Sequence, residues 1–321
     1  MKNRFQVMRT MNNFDKIRRF YDTMTDILLP AGIQVGHAGN GRTGVTAIIC
    51  KDGAVGGVDV RGCAPGTRET DTLRPEKVMD RINGIVLTGG SAFGLGSIDG
   101  VMRYLREKGC GHDMGKIKVP LVAGAVIYDL KDEYEFPTAE DGYAAAKNAE
   151  KGEVLRGAVG GGTGATVGKT LGPTAAQKSG IGAATVSLGG LFVTAFTVVN
   201  AIGDVYDPET GKIVAGAKLQ NGKFLNTRNF VLSGEAIKAM QGGNTTLSCV
   251  MTNAKLDKIH CNKLASISHD AFALCIRPVH TDFDGDTVFA LSKGDIEGVD
   301  FTMLSIMAVE AVSKSILDIF K

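Results

Sequence analysis

The chain has 321 residues, enough for two domains or one large α/β domain, and 44% of them are hydrophobic, which is ample for a buried core. Its formal net charge is +2, and no basic block interleaved with aromatic residues is present, which argues against a nucleic-acid partner. The 43 glycines follow no fixed period, so they predict many tight turns and close backbone approaches.

The cysteines and histidines predict neither disulfides nor a metal site. The six cysteines include no C-x-x-C pair, and several lie in apolar runs, which favours a reducing, cytoplasmic location. No apolar signal core follows residues 1–4, so we expect no secretory signal. The five histidines lack metal-binding spacing such as H-E-x-x-H. We expect no metal and no cofactor.

Apolar runs with two different periodicities predict alternating strands and helices. The predicted strands are residues 45–50, 54–60, 84–88, 119–127, 183–188, 191–199, 247–251 and 287–291. The predicted helices are residues 91–108, 139–150, 256–275 and 300–320. Strands in antiparallel pairs with helices segregated around them predict a layered α+β sandwich.

The uncharged stretch 179–203 is long enough to suggest a membrane span. Gly189 and Gly190 divide it, however, into two β-branched runs. Two apolar strands joined by Gly-Gly are typical of a buried hairpin, so we expect no membrane segment.

Residues 159–170 read V-G-G-G-T-G-A-T-V-G-K-T and nearly match a phosphate-binding loop. The first glycine of that motif would fall at Thr163, and Gly172 and Pro173 interrupt the helix that should follow. Nucleotide binding is therefore disfavoured. Lys169 is then either a cation that points into a site or a surface lysine on a turn.

A glycine-rich junction late in the chain places a hydroxyl residue at the start of a predicted strand. It reads Gln241-Gly242-Gly243-Asn244-Thr245-Thr246 and leads into the run 247–251. Cleavage before Thr245 would give this residue a free α-amine beside its hydroxyl, so that one residue supplies both nucleophile and base. The alternative is an ordinary turn before a strand.

Polar side chains also stand at other strand ends. Asn200 ends an apolar run, where it either donates to an oxyanion or simply terminates the strand. Asp284 and Asp286 lie in a turn that lacks the glycine and glutamate positions of a calcium loop, so calcium is not expected. These carboxylates either hold an ammonium group or are solvated. Tyr128 closes a strand as a core, rim or active-site residue.

Several motifs in order resemble the D-aminopeptidase/β-peptidyl aminopeptidase family of self-processing N-terminal-nucleophile hydrolases. They are residues 35–37 (VGH), 43–46 (TGVT), 57–62 (GVDVRG), 64–70 (APGTRET) and 86–95 (VLTGGSAFGL). Asn244-Thr245-Thr246 and the stretch 280–286 (HTDFDGD) resemble the nylon-oligomer hydrolase branch, the 6-aminohexanoate-oligomer endohydrolases. Aminopeptidase members carry a serine nucleophile, and Ser-x-Glu where this chain has Asp-Gly-Asp. Residues 1–27 match no family motif.

The resemblance implies a fold and a maturation step. The implied fold is an αββα four-layer sandwich of the N-terminal-nucleophile type with mostly antiparallel central sheets, in one domain spanning residues 1–321. The chain is expected to cut itself between Asn244 and Thr245 into fragments 1–244 and 245–321, which stay associated.

The resemblance also implies the site residues. Thr245 would be the nucleophile and Asn200 an oxyanion donor, while Asp284 and Asp286 would orient the threonine and support cleavage. Lys169 would act beside the nucleophile. Tyr128 would contact the substrate.

The expected activity is hydrolysis of amide bonds in linear oligoamides or peptides by acyl transfer. One alternative is an aminopeptidase for β- or D-amino-acid peptides and amides on the same scaffold. Another is an unprocessed relative that only binds small amides or peptides. The expected assembly is a homotetramer of processed protomers, with no nucleic-acid or membrane partner.

Overall fold

The structure is a computed structural model that describes residues 26–130, 135–234 and 243–321. The unmatched N-terminal stretch up to residue 25, and Gln241 and Gly242 of the predicted glycine-rich junction, lie outside the described residues. The strands are β1 (Ile33–Gly39), β2 (Gly44–Val60), β3 (Thr67–Arg68), β4 (Arg81–Thr88), β5 (His112–Asp113), β6 (Lys118–Val119), β7 (Val122–Val126), β8 (Thr166–Val167), β9 (Gln177–Lys178), β10 (Ile181–Leu188), β11 (Leu191–Asn200), β12 (Asp204–Tyr206), β13 (Ile213–Ala215), β14 (Thr245–Ala254), β15 (Ile276–Arg277) and β16 (Thr287–Ile296). The α-helices are α1 (Ser91–Gly94), α2 (Ser97–Glu107), α3 (Ala139–Asn148), α4 (Thr227–Leu232), α5 (Lys258–Ser268), α6 (Asp270–Cys275) and α7 (Phe301–Asp318).

In the described part of the chain, nine strands form one hydrogen-bonded network in the order β10-β11-β14-β16-β2-β4-β7-β3, with β1 paired along β2. Among the strand pairings of these residues, only β14–β16 and β4–β7 are parallel, so the network is mostly antiparallel, as predicted. The long strand β2 belongs to two sheets: its first half pairs with β1 and β4, and its second half pairs with β16.

Alternation along the strands shows that the two sheets lie face to face. On β4, Ile85 and Leu87 enter one core cluster while Val86 enters another. On β14, Cys249 enters the same cluster as Ile85, while Val250 enters a third. The shared cluster is therefore the core between the sheets, and each sheet has a second apolar face.

Helices cover both outer faces. Ile98 of α2 and Ala145 of α3 pack on the sheet of β1 and β4, and Leu264 of α5 and Ile316 of α7 pack on the sheet of β11 and β14. The layers are thus helix, sheet, sheet and helix. The predicted αββα sandwich is confirmed.

The predicted strands are all present, but some bounds differ. The runs 45–50 and 54–60 form the single strand β2, in which Gly53 takes a positive φ of 76° and the register against β4 shifts. The predicted helix 91–108 is two helices, and the first ends at Gly94, which packs so closely on Gly89 that a Cβ would lie 1.8 Å from the Gly89 carbonyl oxygen. The predicted helix 256–275 is also divided, at His269.

The hairpin predicted within residues 179–203 is β10–β11. Its turn residues, Gly189 and Gly190, have φ values of +60° and +95°, which match the positive values of a type I′ turn. Among the helices in the described ranges, none combines the length and apolarity that a membrane crossing requires.

The glycines of the segment 159–170, which nearly matches a phosphate-binding loop, allow close packing of the backbone. A Cβ on Gly161 would lie 2.4 Å from the Leu87 carbonyl oxygen, and one on Gly162 would lie 2.3 Å from the Ile181 nitrogen. These glycines let a short 3₁₀ turn (Gly160–Gly162) press against strand backbone, and no α-helix follows it directly.

The layer assignment predicts different costs for two isoleucines on one helix. Ile316→Ala removes a fully buried side chain between α7 and its sheet, and we expect the free energy of unfolding to fall by about 2–5 kcal/mol. Ile306→Ala is the control, since Ile306 on the same helix is 61% exposed and its loss should cost less than about 0.5 kcal/mol. Urea denaturation measures both, and equal costs would contradict the assignment of α7 to an outer layer.

Candidate active site

Thr245 is the first residue of β14, as predicted, and this strand lies in the sheet between β11 and β16. Its Cα partner across the antiparallel β11–β14 pairing is Asn200, the last residue of β11. Residues directly opposite each other carry their side chains on the same face of a sheet. The register therefore brings Thr245 and Asn200 together, and Thr245 is only 4% exposed.

The two side chains lie at one end of the core between the sheets. Cys249 on β14 and Val198 on β11 belong to that core. Since side chains alternate along a strand, Thr245 and Asn200 share the same face. The site is therefore closed on one side by the central core.

The Thr245 hydroxyl is positioned by backbone groups. It donates a hydrogen bond to the carbonyl oxygen of Asn244, and the Gly285 N–H donates to its Oγ1 at 3.2 Å. Within the described ranges, no carboxylate, imidazole or amine side chain makes a hydrogen bond to this oxygen. The hydroxyl thus lies at the carbonyl of the predicted cleavage bond.

Gly285 can approach because it has no side chain. A Cβ there would lie 2.9 Å from Thr245 Oγ1 and 2.9 Å from the Ala64 carbonyl oxygen. The absence of a side chain therefore lets the Gly285 N–H reach the Thr245 hydroxyl.

Lys169 reaches the site from a turn that is pinned to the end of β11. Its backbone N–H donates to the Ile202 carbonyl at 3.1 Å. The preceding residue, Gly168, has a left-handed backbone conformation and packs so closely on Ala217 that a side chain would not fit. The Lys169 Nζ donates to the Asn200 Oδ1 at 2.7 Å and carbonyl oxygen at 3.0 Å, and to the Gly243 carbonyl at 2.5 Å. The predicted site cation is therefore in the site and not on the surface.

Burial lowers the pKa of Lys169 to about 7, while the negative charges of Asp284 and Asp129 act in the opposite direction. The Lys169 amine therefore titrates near neutral pH. Burial also raises the pKa of Asp129, whose carboxylate accepts a hydrogen bond from the Gly90 N–H at 2.7 Å.

The Asn200 amide is fixed at both ends. Its Oδ1 accepts from Lys169 and from the Thr166 N–H, and its Nδ2 donates to the Tyr128 carbonyl at 2.9 Å and the Gly243 carbonyl at 3.1 Å. In the uncut chain Asn200 therefore contacts the carbonyl one residue before the predicted cleavage bond. Its predicted role as oxyanion donor stays a prediction.

Asp286 supports the start of β14 from the other side. Its Oδ1 accepts from the Thr246 N–H at 2.6 Å, and its Oδ2 accepts from the His280 N–H at 3.1 Å. The same Oδ2 lies 2.8 Å from the His280 Nδ1. This carboxylate thus orients the backbone next to Thr245, rather than contacting its hydroxyl.

Asp284 accepts from the Thr281 N–H at 2.6 Å and hydroxyl at 2.7 Å. Burial, and then the neighbouring Asp286 charge, raise its pKa to about 6. Its backbone is bridged to Asn244, so the Asp-Gly-Asp turn lies directly beside the predicted cleavage bond.

The family follows from comparison with known proteins. Residues 22–320 match peptidase family S58. The chain belongs to peptidase family S58. An uncharacterized aminopeptidase of Mycobacterium leprae is 39% identical over 301 residues, which cover 86% of this chain and 80% of the relative. A 6-aminohexanoate-oligomer endohydrolase of Kocuria sp. is 31% identical over 312 residues, which cover 90% and 84%. The family resemblance predicted from the sequence is confirmed, and the chain is an amide-bond hydrolase.

Solved structures share the fold of this S58 peptidase. A β-aminopeptidase of Burkholderia sp. superposes with a TM-score of 0.65 at 21% identity, covering 94% of this chain and 90% of that one. The L-aminopeptidase D-Ala-esterase/amidase of Ochrobactrum anthropi, a variant of the Ntn-hydrolase fold, gives 0.68 at 18% identity, covering 94% and 89%. The predicted N-terminal-nucleophile type of sandwich is thereby confirmed.

The structure of this S58 peptidase gathers the site residues predicted from the sequence in one place. They are Tyr128, Lys169, Asn200, Asn244, Thr245, Asp284 and Asp286. Tyr128 is 47% exposed, and its ring lies against Gly243, where a Cβ would approach it to 3.0 Å. That position suits the predicted substrate contact.

Three contributors to the site are not among the predicted residues. His280, one of the histidines without metal-binding spacing, contacts Asp286 and takes a positive φ of 56°. Gly285 contacts Thr245, and Asp129 lowers the cost of a charged Lys169. The signal available for His280 was its place in the stretch 280–286 that resembles the nylon-oligomer branch. Nothing in the sequence marked Asp129.

Removal of the Asp286 charge tests its supporting role. Asp286→Asn keeps the shape but weakens the hydrogen bonds from the Thr246 N–H and from His280, so we expect cleavage before Thr245 to slow by about 10–100-fold. Denaturing gels over a time course after synthesis measure the rate.

Asp282→Asn is the matched control, because Asp282 lies in the same turn, is exposed, and makes no side-chain hydrogen bond within the described ranges. It should be cut at the wild-type rate. Equal slowing by both variants, or none by Asp286→Asn, would show that Asp286 does not support the bond.

Proposed function

We propose that this S58 peptidase is a self-processing amide hydrolase whose nucleophile is Thr245 after cleavage of the Asn244–Thr245 bond. One observation carries the proposal: the buried Thr245 hydroxyl is hydrogen-bonded to the carbonyl of that bond, at the start of a central strand. The Gly285 N–H and the Asp286 carboxylate support it from the β16 side.

The self-cleavage step is an N→O acyl shift. The Thr245 oxygen bonds to the Asn244 carbonyl carbon, the C–N bond breaks, and the hydroxyl proton passes to the departing nitrogen. Water then hydrolyses the ester, which leaves a carboxylate on Asn244 and frees the Thr245 hydroxyl and α-amine. No cofactor enters this balance.

The two fragments are expected to stay together. Strand β14 of fragment 245–321 pairs with β11 of fragment 1–244, and β16 pairs with β2. Cutting one peptide bond leaves these pairings and their buried side chains intact. The fold therefore supports a processed protomer of two associated chains.

In the processed enzyme the α-amine of Thr245 acts as base. An α-amine titrates near pH 8, so a useful fraction is neutral at physiological pH and accepts the hydroxyl proton. The oxygen attacks the substrate carbonyl, the amine product leaves, and water hydrolyses the ester. The proposed substrates are linear oligoamides or peptides.

The relatives keep a second candidate open. Mycobacterial relatives are named aminopeptidases and have higher identity to this chain than the 6-aminohexanoate-oligomer endohydrolases. An aminopeptidase for β- or D-amino-acid peptides would use the same nucleophile. Rates on amino-terminal amides and on internal amide bonds separate the two.

The adjacent threonines provide a direct test of the nucleophile. Thr245→Ala should remain one full-length polypeptide, because it lacks the attacking oxygen. Thr246→Ala is the control: its hydroxyl is buried without a hydrogen-bond partner in the described ranges, so this variant should still be cut. Intact mass spectrometry of both proteins distinguishes them, and cleavage before position 245 in Thr245→Ala would overturn the proposal.

A further inference from the structure

A half-buried lysine and a buried asparagine donate to a carbonyl that does not belong to the predicted cleavage bond. The Gly243 carbonyl accepts from Lys169 Nζ at 2.5 Å and from Asn200 Nδ2 at 3.1 Å. Gly243 precedes the scissile residue, Asn244. We propose that Lys169 and Asn200 form a subsite for the second carbonyl of a substrate, one α-amino-acid residue before the hydrolysed amide, and that the enzyme therefore cuts internal peptide bonds.

This inference rests on the proposed function, because it extends the self-cleavage geometry to external substrates. Self-cleavage and turnover both pass through an ester on the Thr245 oxygen. In the first the acyl group is the chain that ends at Asn244, and in the second it is the acyl part of the substrate. The same residues around Thr245 must accommodate both acyl groups, so the uncut chain shows where the acyl group of a substrate lies.

The subsite discriminates against a substrate with a free α-amine, because such a substrate lacks the second carbonyl. The negative charges of Asp129 and Asp284, which act on Lys169, would attract an ammonium group but do not replace the lost acceptor. A buried donor without an acceptor loses binding free energy. A peptide carbonyl instead accepts from both donors.

The neighbouring contacts define the rest of the acyl group. Gly243 has a positive φ of 93°, and a Cβ there would lie 3.0 Å from the Tyr128 ring, so both the backbone and the ring favour glycine or an unbranched residue at the subsite. The Asn244 side chain is 3% exposed, and its amide has no hydrogen-bond partner in the described ranges. The residue that supplies the scissile carbonyl therefore needs no polar group.

The assignment gives Asn200 a role different from the one predicted by resemblance. One N–H of its amide is already used by the Tyr128 carbonyl, and the other holds the second carbonyl. Asn200 then positions the acyl group, and the developing oxyanion relies on other donors.

Four p-nitroanilides of matched chemistry test the subsite on the wild-type processed enzyme. Acetyl-Gly-Asn-anilide carries the second carbonyl, and Asn-anilide has a free amine in its place. In the third, the glycine carbonyl oxygen is replaced by sulfur, a weaker acceptor. The fourth, a control, carries the same replacement in the acetyl cap.

We expect kcat/KM for acetyl-Gly-Asn-anilide to exceed that for Asn-anilide by at least about tenfold, as the loss of two hydrogen bonds predicts. Sulfur at the glycine carbonyl should lower kcat/KM by about tenfold more than sulfur in the cap. Equal or faster hydrolysis of Asn-anilide, or equal effects of the two sulfur replacements, would overturn the subsite.

Failure of the proposed function has a different signature. If Thr245 is not the nucleophile, the protein remains uncut or hydrolyses none of the anilides. If only the subsite is wrong, the protein is cut at Asn244–Thr245 and hydrolyses the free-amine substrate well, as an aminopeptidase does.

Discussion

The pairing register of β14 with β11 and β16 is the constraint on which the site depends. It places Thr245 opposite Asn200 on one side and next to the Asp-Gly-Asp turn that leads into β16 on the other. A slip of one residue would turn Thr245 toward the helix-covered face. Buried side chains on both faces of β14 oppose such a slip, so the core of the sandwich also sets the geometry of the nucleophile.

Backbone groups make much of the site, and glycine makes their approach possible. Gly62 packs on the Asp284 carbonyl, where a Cβ would lie 2.2 Å from the oxygen, and Gly285 packs on Thr245. The Arg61 and Gly62 N–H groups donate to the Asp286 carbonyl at 3.0 and 3.2 Å. The residues directly after β2 therefore fix the turn between His280 and β16. The abundance of glycine reflects these contacts.

Much of the architecture is legible in the sequence, because periodicity marks buried faces. The eight strand regions, the Gly189–Gly190 hairpin and the strand that begins at Thr245 follow from local pattern. The joining of two predicted strands into β2 and the break at His269 do not, because both depend on packing between distant segments. Local propensity contains no information about those contacts.

The active site, like the fold, is only partly predictable from the sequence. Thr245 stands out by its place between a glycine-rich junction and an apolar run. The other predicted residues are open alternatives from local pattern, and only the family resemblance assigns them roles in the site. The partners of those residues could not be predicted. Asn200 and Lys169 hydrogen-bond to the Gly243 carbonyl because three segments lie close together in the fold. These segments are the end of β11, the turn at Gly168 and the uncut junction. Asp129 and His280 likewise acquire roles only through neighbours remote in sequence.

The most direct test of the central claim is intact mass spectrometry of freshly purified, active wild-type protein under denaturing conditions. Our account predicts two polypeptides, one ending at Asn244 and one beginning at Thr245. Full amide-hydrolase activity in a preparation that contains only the continuous 321-residue chain would contradict it.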